Sequence, residues 1–256
     1  MLFVISPAKS LDFTPPPQSV GATTPMMAAD TADLAEVTRK LKSRDLKALM
    51  SISDKLALLN YERFQAFDPQ SEDGVQAALA FNGDVYTGLQ ARALDKAGLN
   101  WAQDHLRILS GLYGVLRPLD VIQPYRLEMG VRLKTRRGQS LYDFWGGRIA
   151  KALNAAAEDH ADPTLINLAS QEYFGAVKRK ELTVPVVTCQ FKEDRPDGAK
   201  IISFFAKKAR GLMARFAIDQ RIDQPGGLKD FTQDGYRFDP ALSSEQEWVF
   251  VRARAG

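Results

Sequence analysis

The stretch from Ile201 to Ile222 joins a short apolar run to a helical pattern. Few folds accommodate both a buried run and an amphipathic helix directly after it. Ile201–Phe205 predicts a short buried strand. The residues that follow repeat with the helical period of 3.6. The apolar arc consists of Ala206, Ala209, Leu212, Met213, Phe216 and Ala217. The opposite arc carries Lys207, Lys208, Arg210 and Arg215, together with Gly211. The stretch therefore predicts a helix that packs by one face and presents four positive charges on the other.

Two features of this helix favour an anion-binding role. Lys207 and Lys208 lie in its first turn, where they oppose the helix dipole by about 0.3–1 kcal/mol each. Gly211 costs about 1 kcal/mol relative to Ala in a helix interior. The lysines in the first turn and the glycine in the interior both suit a polyanion that approaches the helix backbone closely. The alternative, a plain solvated helix face, stays open.

The remaining sequence predicts an α+β (mixed α/β) chain. Helical and strand patterns intermix without a repeat or a linker-like change in composition, which favours a single domain, residues 1–256, around a central mixed sheet. The segment Ser140–His160 predicts one long amphipathic helix. A hydrophobic content of 45% is ample for a core, and no apolar run is long enough to cross a membrane.

The few cysteine and histidine residues of the sequence give little indication of a metal site or of redox chemistry. Cys189, the single cysteine, lies in the apolar run VPVVTCQF, which predicts core packing. His105 and His160 have no partner at metal-ligand spacing, so we predict neither a metal site nor a cofactor. The first residues lack the basic start of a signal peptide, which favours a cytoplasmic location.

Positive charge concentrates in the later two-thirds of the chain, although the net charge is only +3. From Arg107 to Arg148 there are eight basic and three acidic residues. Lys178, Arg179 and Lys180 are consecutive, which predicts a surface patch. Lys9 follows the first predicted strand, where either a site residue or a surface lysine is expected. The distribution predicts a basic cleft.

The turn Ser110–Asp120 has two glycines, Gly111 and Gly114, on either side of one aromatic residue, Tyr113. Such a turn can expose backbone N–H groups to a phosphate. It is faintly similar to the hairpin of helix-hairpin-helix DNA-binding modules, although the spacing is not a clean match. The alternative for Arg117 is a local ion pair with Asp120.

Candidate acid–base residues are Asp84, Tyr86, Glu172 and Tyr173, which follow a turn signal or the end of a predicted strand. The sequence contains no nucleophile elbow and no Cys–His motif. Composition and spacing therefore favour no specific reaction, and whether the chain is an enzyme stays open at this point.

Several segments, spread from one end of the chain to the other, resemble the bacterial YaaA family of peroxide-stress proteins. These segments are SPAKSLDF (Ser6–Phe13), ISDKLA (Ile52–Ala57), FNGDVYTGL (Phe81–Leu89), LSGLYGVLRPLDVIQPYRLEMG (Leu109–Gly130), INLASQEYF (Ile166–Phe174) and IISFFAKKARGLMARF (Ile201–Phe216). The positions that match the family's basic motifs are Lys9, Lys55, Arg117, Arg126, Lys178, Lys207, Lys208 and Arg210. The sequence departs from the family pattern at the hairpin and at Arg179.

The resemblance implies a DNA-binding protein of the oxidative stress response. It implies protection of DNA from hydrogen peroxide, a lower level of free intracellular iron, a positively charged cleft and a helix-hairpin-helix-like element. Double-stranded or structured DNA is then the expected partner, bound with little sequence preference, and we expect no membrane and no obligate protein partner. The alternative is an enzyme that acts on a phosphorylated or nucleobase-containing substrate in the same cleft.

Overall fold

Eleven strands lie within residues 1–16 and 21–253, the part of the chain that the computed structural model describes. The strands are β1 (Leu2–Ile5), β2 (Ser10–Leu11), β3 (Val75–Gln76), β4 (Phe81–Asn82), β5 (Leu106–Ser110), β6 (Gly114–Leu116), β7 (Val121–Ile122), β8 (Leu165–Asn167), β9 (Val186–Glu193), β10 (Arg237–Phe238) and β11 (Glu247–Arg252). Seven of them form one sheet in the order β10-β11-β9-β8-β1-β5-β6. Two short pairs, β2 with β4 and β3 with β7, stand apart from it.

The same ranges contain ten α-helices. They are α1 (Ala28–Arg39), α2 (Ser43–Met50), α3 (Asp54–Ala66), α4 (Ala77–Ala80), α5 (Asp84–Leu89), α6 (Lys96–His105), α7 (Leu141–Trp145), α8 (Arg148–Ala157), α9 (Gln171–Phe174) and α10 (Ser203–Gln220). Short 3-10 turns lie at Ala91–Ala93, Arg179–Glu181, Pro225–Asp230, Gln233–Gly235 and Pro240–Leu242. The prediction of a mixed α/β single domain is confirmed.

The centre of the sheet is parallel, and its edges are antiparallel. β1 pairs in parallel with β5 and β8, and β8 and β11 each pair in parallel with β9. The edge strands β6 and β10 run antiparallel to β5 and β11. All residues of β1 and β5 are buried, because a parallel strand covered on both faces has no solvent side.

The longest helix, α10, packs against α5 through two glycines. A Cβ placed on Gly211 would lie 1.8 Å from the Val85 carbonyl oxygen, and one on Gly88 would lie 2.2 Å from the Lys208 carbonyl oxygen. No side chain fits between backbones this close. The interpretation of Gly211 as an approach point for a polyanion is therefore wrong, because the α5 backbone already occupies the space.

Two local predictions need correction. Ile201–Phe205 does not form a strand: the helix begins at Ser203, and Ile201 and Phe204 are 51% and 58% exposed. Ser140–His160 forms two helices, α7 and α8, because Gly146 has a φ of +50° and ends the first. The apolar face of α10 is largely as predicted, with Ala206 and Ala209 among its buried residues.

Candidate functional site

The sheet has a topological switch point between β1 and β8. From β1 the chain crosses to β5 on one side, whereas from β8 it continues to β9 on the other side. The connections that leave the carboxyl ends of these two neighbouring strands therefore diverge. In open α/β sheets, ligands bind in the crevice that this divergence creates.

Two serines meet at the carboxyl ends of these strands. Ser6 Oγ accepts a hydrogen bond from the Ser170 backbone N–H at 2.8 Å and lies 3.3 Å from Ser170 Oγ. Tyr86 lies directly beneath, where its hydroxyl donates to the Ser6 carbonyl oxygen at 3.2 Å. Ser170 also caps the short helix α9 through the Tyr173 N–H. The contact between the two serines is not predictable from the sequence, although the apolar pattern indicates where each strand ends.

A groove with a volume of about 780 Å³ opens beside this point. β9 and the residues after β8 form one part of it, and α10 lies along another. Its charged and polar lining includes Asn167, Ser170, Glu172, Arg179, Lys207 and Arg210. Arg179 comes from the Lys178–Lys180 segment, so the groove joins the two basic regions that the sequence predicts separately.

Arg210 lines the groove, and one nitrogen of its guanidinium group is buried without a partner. Its Nε is inaccessible to solvent and has no hydrogen-bond partner, and Arg210 forms no ion pair with any described residue. Burial lowers its pKa. The neighbouring Cys189 thiol is buried too, and burial raises its pKa to about 12 although the Arg210 charge acts in the opposite direction. A neutral thiol does not compensate the arginine charge.

The other basic residues of α10 face carboxylates. Lys207 Nζ is 3.6 Å from an Asp84 oxygen, and Lys208 Nζ is 3.6 Å from an Asp234 oxygen. Arg215 binds Asp219 at 2.8 Å and is the most firmly paired of the three. Lys207 is exposed and its contact is long, so its charge remains available to an anion in the groove.

The Lys178–Lys180 segment is the most open of the predicted basic sites. All three side chains are exposed, Lys178 directly before a short 3-10 turn and Arg179 and Lys180 on it, and none forms an ion pair within the described ranges. Lys178 is close enough to Asp143 to contribute to the lowered pKa of that carboxyl group, whose main causes are hydrogen bonds from Ser140 and Gln139. The prediction of a surface patch here is confirmed.

The segment Ser110–Arg117 is a β-hairpin, because β5 and β6 pair across it with Ser110 opposite Gly114. Residues 110–116 are all buried. A Cβ on Gly111 would meet the Leu127 carbonyl at 2.2 Å, and Gly114 lies against the Trp145 ring. The prediction of an exposed phosphate-binding turn is therefore wrong, and this segment is not a hairpin between two helices.

Four further predicted basic residues lie outside the groove lining. Arg117 bonds Asp120 at 2.8 Å, which confirms the local ion pair. Arg126 donates to Glu128 Oε1 at 2.8 Å, and Lys9 Nζ lies 3.4 Å from the same oxygen. Glu128 Oε2 is buried without a hydrogen-bond partner. Lys55 is exposed in the first turn of α3.

The four acid–base candidates separate into two types. Asp84 and Glu172 are accessible: Asp84 faces Lys207, and Glu172 Oε1 accepts from the Gly130 N–H at 3.0 Å. Tyr86 and Tyr173 are buried, and burial raises the pKa of each hydroxyl well above its usual value. At neutral pH the two tyrosines are therefore hydrogen-bond donors and not bases. Only Glu172 lines the groove.

Within residues 1–16 and 21–253, no group of three or more His, Cys, Asp or Glu side chains is arranged to hold a metal ion. Over the same ranges, the helices include none that is both long and apolar enough to cross a membrane.

Comparison with known proteins gives one consistent result. The sequence profile of the family described as "Peroxide stress protein YaaA" matches residues 1–242. A UPF0246 protein of Caulobacter sp. (strain K31) is 66% identical over 252 residues, which cover 98% of this chain and 99% of that protein. A UPF0246 protein of Phenylobacterium zucineum is 64% identical, with coverages of 98% and 95%. One from Cellvibrio japonicus is 51% identical, with 98% of each chain covered.

Proposed function

The chain belongs to the peroxide stress protein YaaA family, and on that premise we propose that it acts in the peroxide-stress response by binding DNA. The binding surface in this proposal is the groove and its exposed basic rim. The rim consists of Lys178, Arg179, Lys180 and Lys207. The lower level of free iron that the family resemblance implies remains a prediction.

One observation carries the proposal: exposed cations from two separate parts of the chain converge on one groove. Arg179 and Lys207 both line it, and Lys178 and Lys180 flank Arg179 in sequence. Lys178, Arg179 and Lys180 form no ion pair with a described residue, and Lys207 has only a long contact with Asp84, so these charges are available to a polyanion. Contacts to phosphates carry little sequence information, so weak sequence preference follows.

The first test compares charge-matched variants by fluorescence anisotropy with a short labelled duplex. Lys178→Gln/Arg179→Gln/Lys180→Gln removes three rim charges and should weaken binding about tenfold or more, because each lost phosphate contact removes counterion release. Lys40→Gln/Lys42→Gln/Arg44→Gln removes three exposed charges around the start of α2 and serves as the control. Equal weakening in both variants would show that only net charge matters and would contradict the assigned surface.

A second candidate function is an enzyme that acts on a phosphorylated or nucleobase-containing substrate. The position of the groove at the switch point of the sheet favours it. Glu172 is then the acid–base group, because it is the one accessible candidate in the lining. A Glu172→Gln protein that keeps its DNA affinity but loses peroxide protection in cells would favour this alternative.

A further inference from the structure

Arg210 differs from the other poorly exposed arginines in having no partner for its charge. Arg252, which is buried, binds Glu193 at 2.9 Å and Asp234 at 3.1 Å. Arg107, also buried, donates to three backbone carbonyls. Arg210 has neither a carboxylate nor a hydrogen-bond acceptor among the described residues. Arg210 is half-buried, and of its three nitrogens only Nε is inaccessible to solvent and unpaired, so its terminal nitrogens stay open to the groove. A half-buried charge that has no counter-charge in the fold points to a partner that is not part of the chain.

The position of Arg210 indicates where such a partner would lie. Lys207 precedes Arg210 by one helical turn, and both side chains line the groove. Arg179 lines the groove as well. Three cations in one groove suit a group with more than one negative charge, and the planar fork of a guanidinium matches two oxygens of a phosphate.

The rest of the lining suits a polar molecule of moderate size. Gln190 offers an amide group, and Glu172 and Glu247 offer acceptors for hydroxyl or amino groups. Asn167 has one N–H and one lone pair left, because its Nδ2 donates to Thr188 Oγ1 and its Oδ1 accepts from the Ala169 N–H. The volume of about 780 Å³ is within the range of small-molecule sites, about 300–1,000 Å³. A sugar phosphate or a mononucleotide is small enough to lie within this volume.

We propose that this groove binds a small phosphate monoester of sugar-phosphate or mononucleotide size, with its terminal phosphate on Arg210 and Lys207. Asn167, Gln190 and Glu172 then contact the hydroxyl groups or base of the ligand. The site shares Lys207 with the rim of the proposed DNA surface, whereas Arg210, Asn167, Gln190 and Glu172 line the groove and are not part of that rim. It therefore does not depend on DNA binding.

The test measures binding of ribose 5-phosphate by isothermal titration calorimetry, with ribose as the uncharged control and inorganic phosphate to separate the contribution of the anion. Ribose 5-phosphate should bind and raise the Tm, whereas ribose should do neither. Arg210→Met should weaken binding about tenfold to a hundredfold, because a charged hydrogen-bond donor is lost. Lys96→Gln, at the exposed start of α6 and outside the groove lining, should leave the affinity unchanged.

The stability of Arg210→Met without ligand distinguishes a binding residue from a structural one. An apolar side chain of similar length removes the cost of burying an unpaired charge, so the Tm of the variant should equal or exceed that of the wild type. A lower Tm, or unchanged affinity for ribose 5-phosphate, would overturn the assignment. So would the absence of binding by ribose 5-phosphate, adenosine monophosphate and inorganic phosphate alike.

Duplex titration of the same proteins keeps the two proposals separate. If Arg210→Met loses the phosphate monoester but retains the duplex, both proposals stand. If the wild type binds the duplex and none of the phosphates, only the present inference fails. If it binds ribose 5-phosphate through Arg210 and does not bind the duplex, the DNA proposal alone fails.

Discussion

Single side chains show how burial controls chemistry in this molecule. Cys189, the one cysteine of the chain, lies beside the groove, where a peroxide-reactive thiol would be useful. However, the reactive form of a cysteine is the thiolate, and burial raises the pKa of Cys189 to about 12. The residue that a peroxide-stress protein would most obviously use as a sensor is therefore held in its unreactive form.

We predict that Cys189 resists alkylation and peroxide oxidation in the folded protein. With a pKa of about 12, the thiolate is only about one part in 10⁵ at pH 7. Raising the pH to 9 should still leave labelling by iodoacetamide slow, because the thiol loses its proton only as the pH approaches its pKa. Mass spectrometry of labelled protein measures this, with urea-unfolded protein as the control. Rapid labelling of the native protein at pH 7 would contradict the predicted protection.

At the scale of elements, the packing of α10 on α5 explains both what the sequence predicted and what it missed. The apolar arc that includes Ala206, Ala209 and Met213 was visible as a helical period and is buried as expected. The helical period placed Gly211 on the opposite, solvent-facing arc among the basic residues. A glycine has no side chain whose polarity could indicate that it is buried. A close contact between two backbones depends on both helices, and the sequence of one helix does not contain that information.

Gly211→Ala should destabilise the protein by about 1–3 kcal/mol or more, although alanine is the better helix former by about 1 kcal/mol. The added Cβ would lie 1.8 Å from the Val85 carbonyl oxygen, so α5 and α10 would have to separate. Urea unfolding measures the free energy of unfolding. Gly226→Ala is the matched control, because nothing lies within 4 Å of a Cβ there. A Gly211→Ala protein at least as stable as the wild type would contradict the close packing.

At the scale of the whole molecule, the order of the strands creates the site. The intermixed helix and strand patterns of the sequence predicted the class of the fold. The runs of lysine and arginine at Lys178–Lys180 and Lys207–Arg210 predicted two positively charged segments. Their convergence was not predictable, because it depends on β8 joining the sheet on the opposite side of β1 from β5. The same limit applies to the turn at Gly111 and Gly114, whose burial is set by Leu127 and Trp145 from later in the chain.

We propose that an exposed basic rim binds the phosphates of DNA, and the salt dependence of duplex binding is the sharpest test of this proposal. Four rim cations, Lys178, Arg179, Lys180 and Lys207, are exposed. At about −0.9 per phosphate, four contacts predict a slope of about −3.6 for the logarithm of the association constant against the logarithm of the salt concentration. Anisotropy titrations of the wild-type protein at several salt concentrations give this slope. A slope near −3.6 would support DNA binding by these four cations, whereas affinity independent of salt, or no binding at low salt, would contradict it.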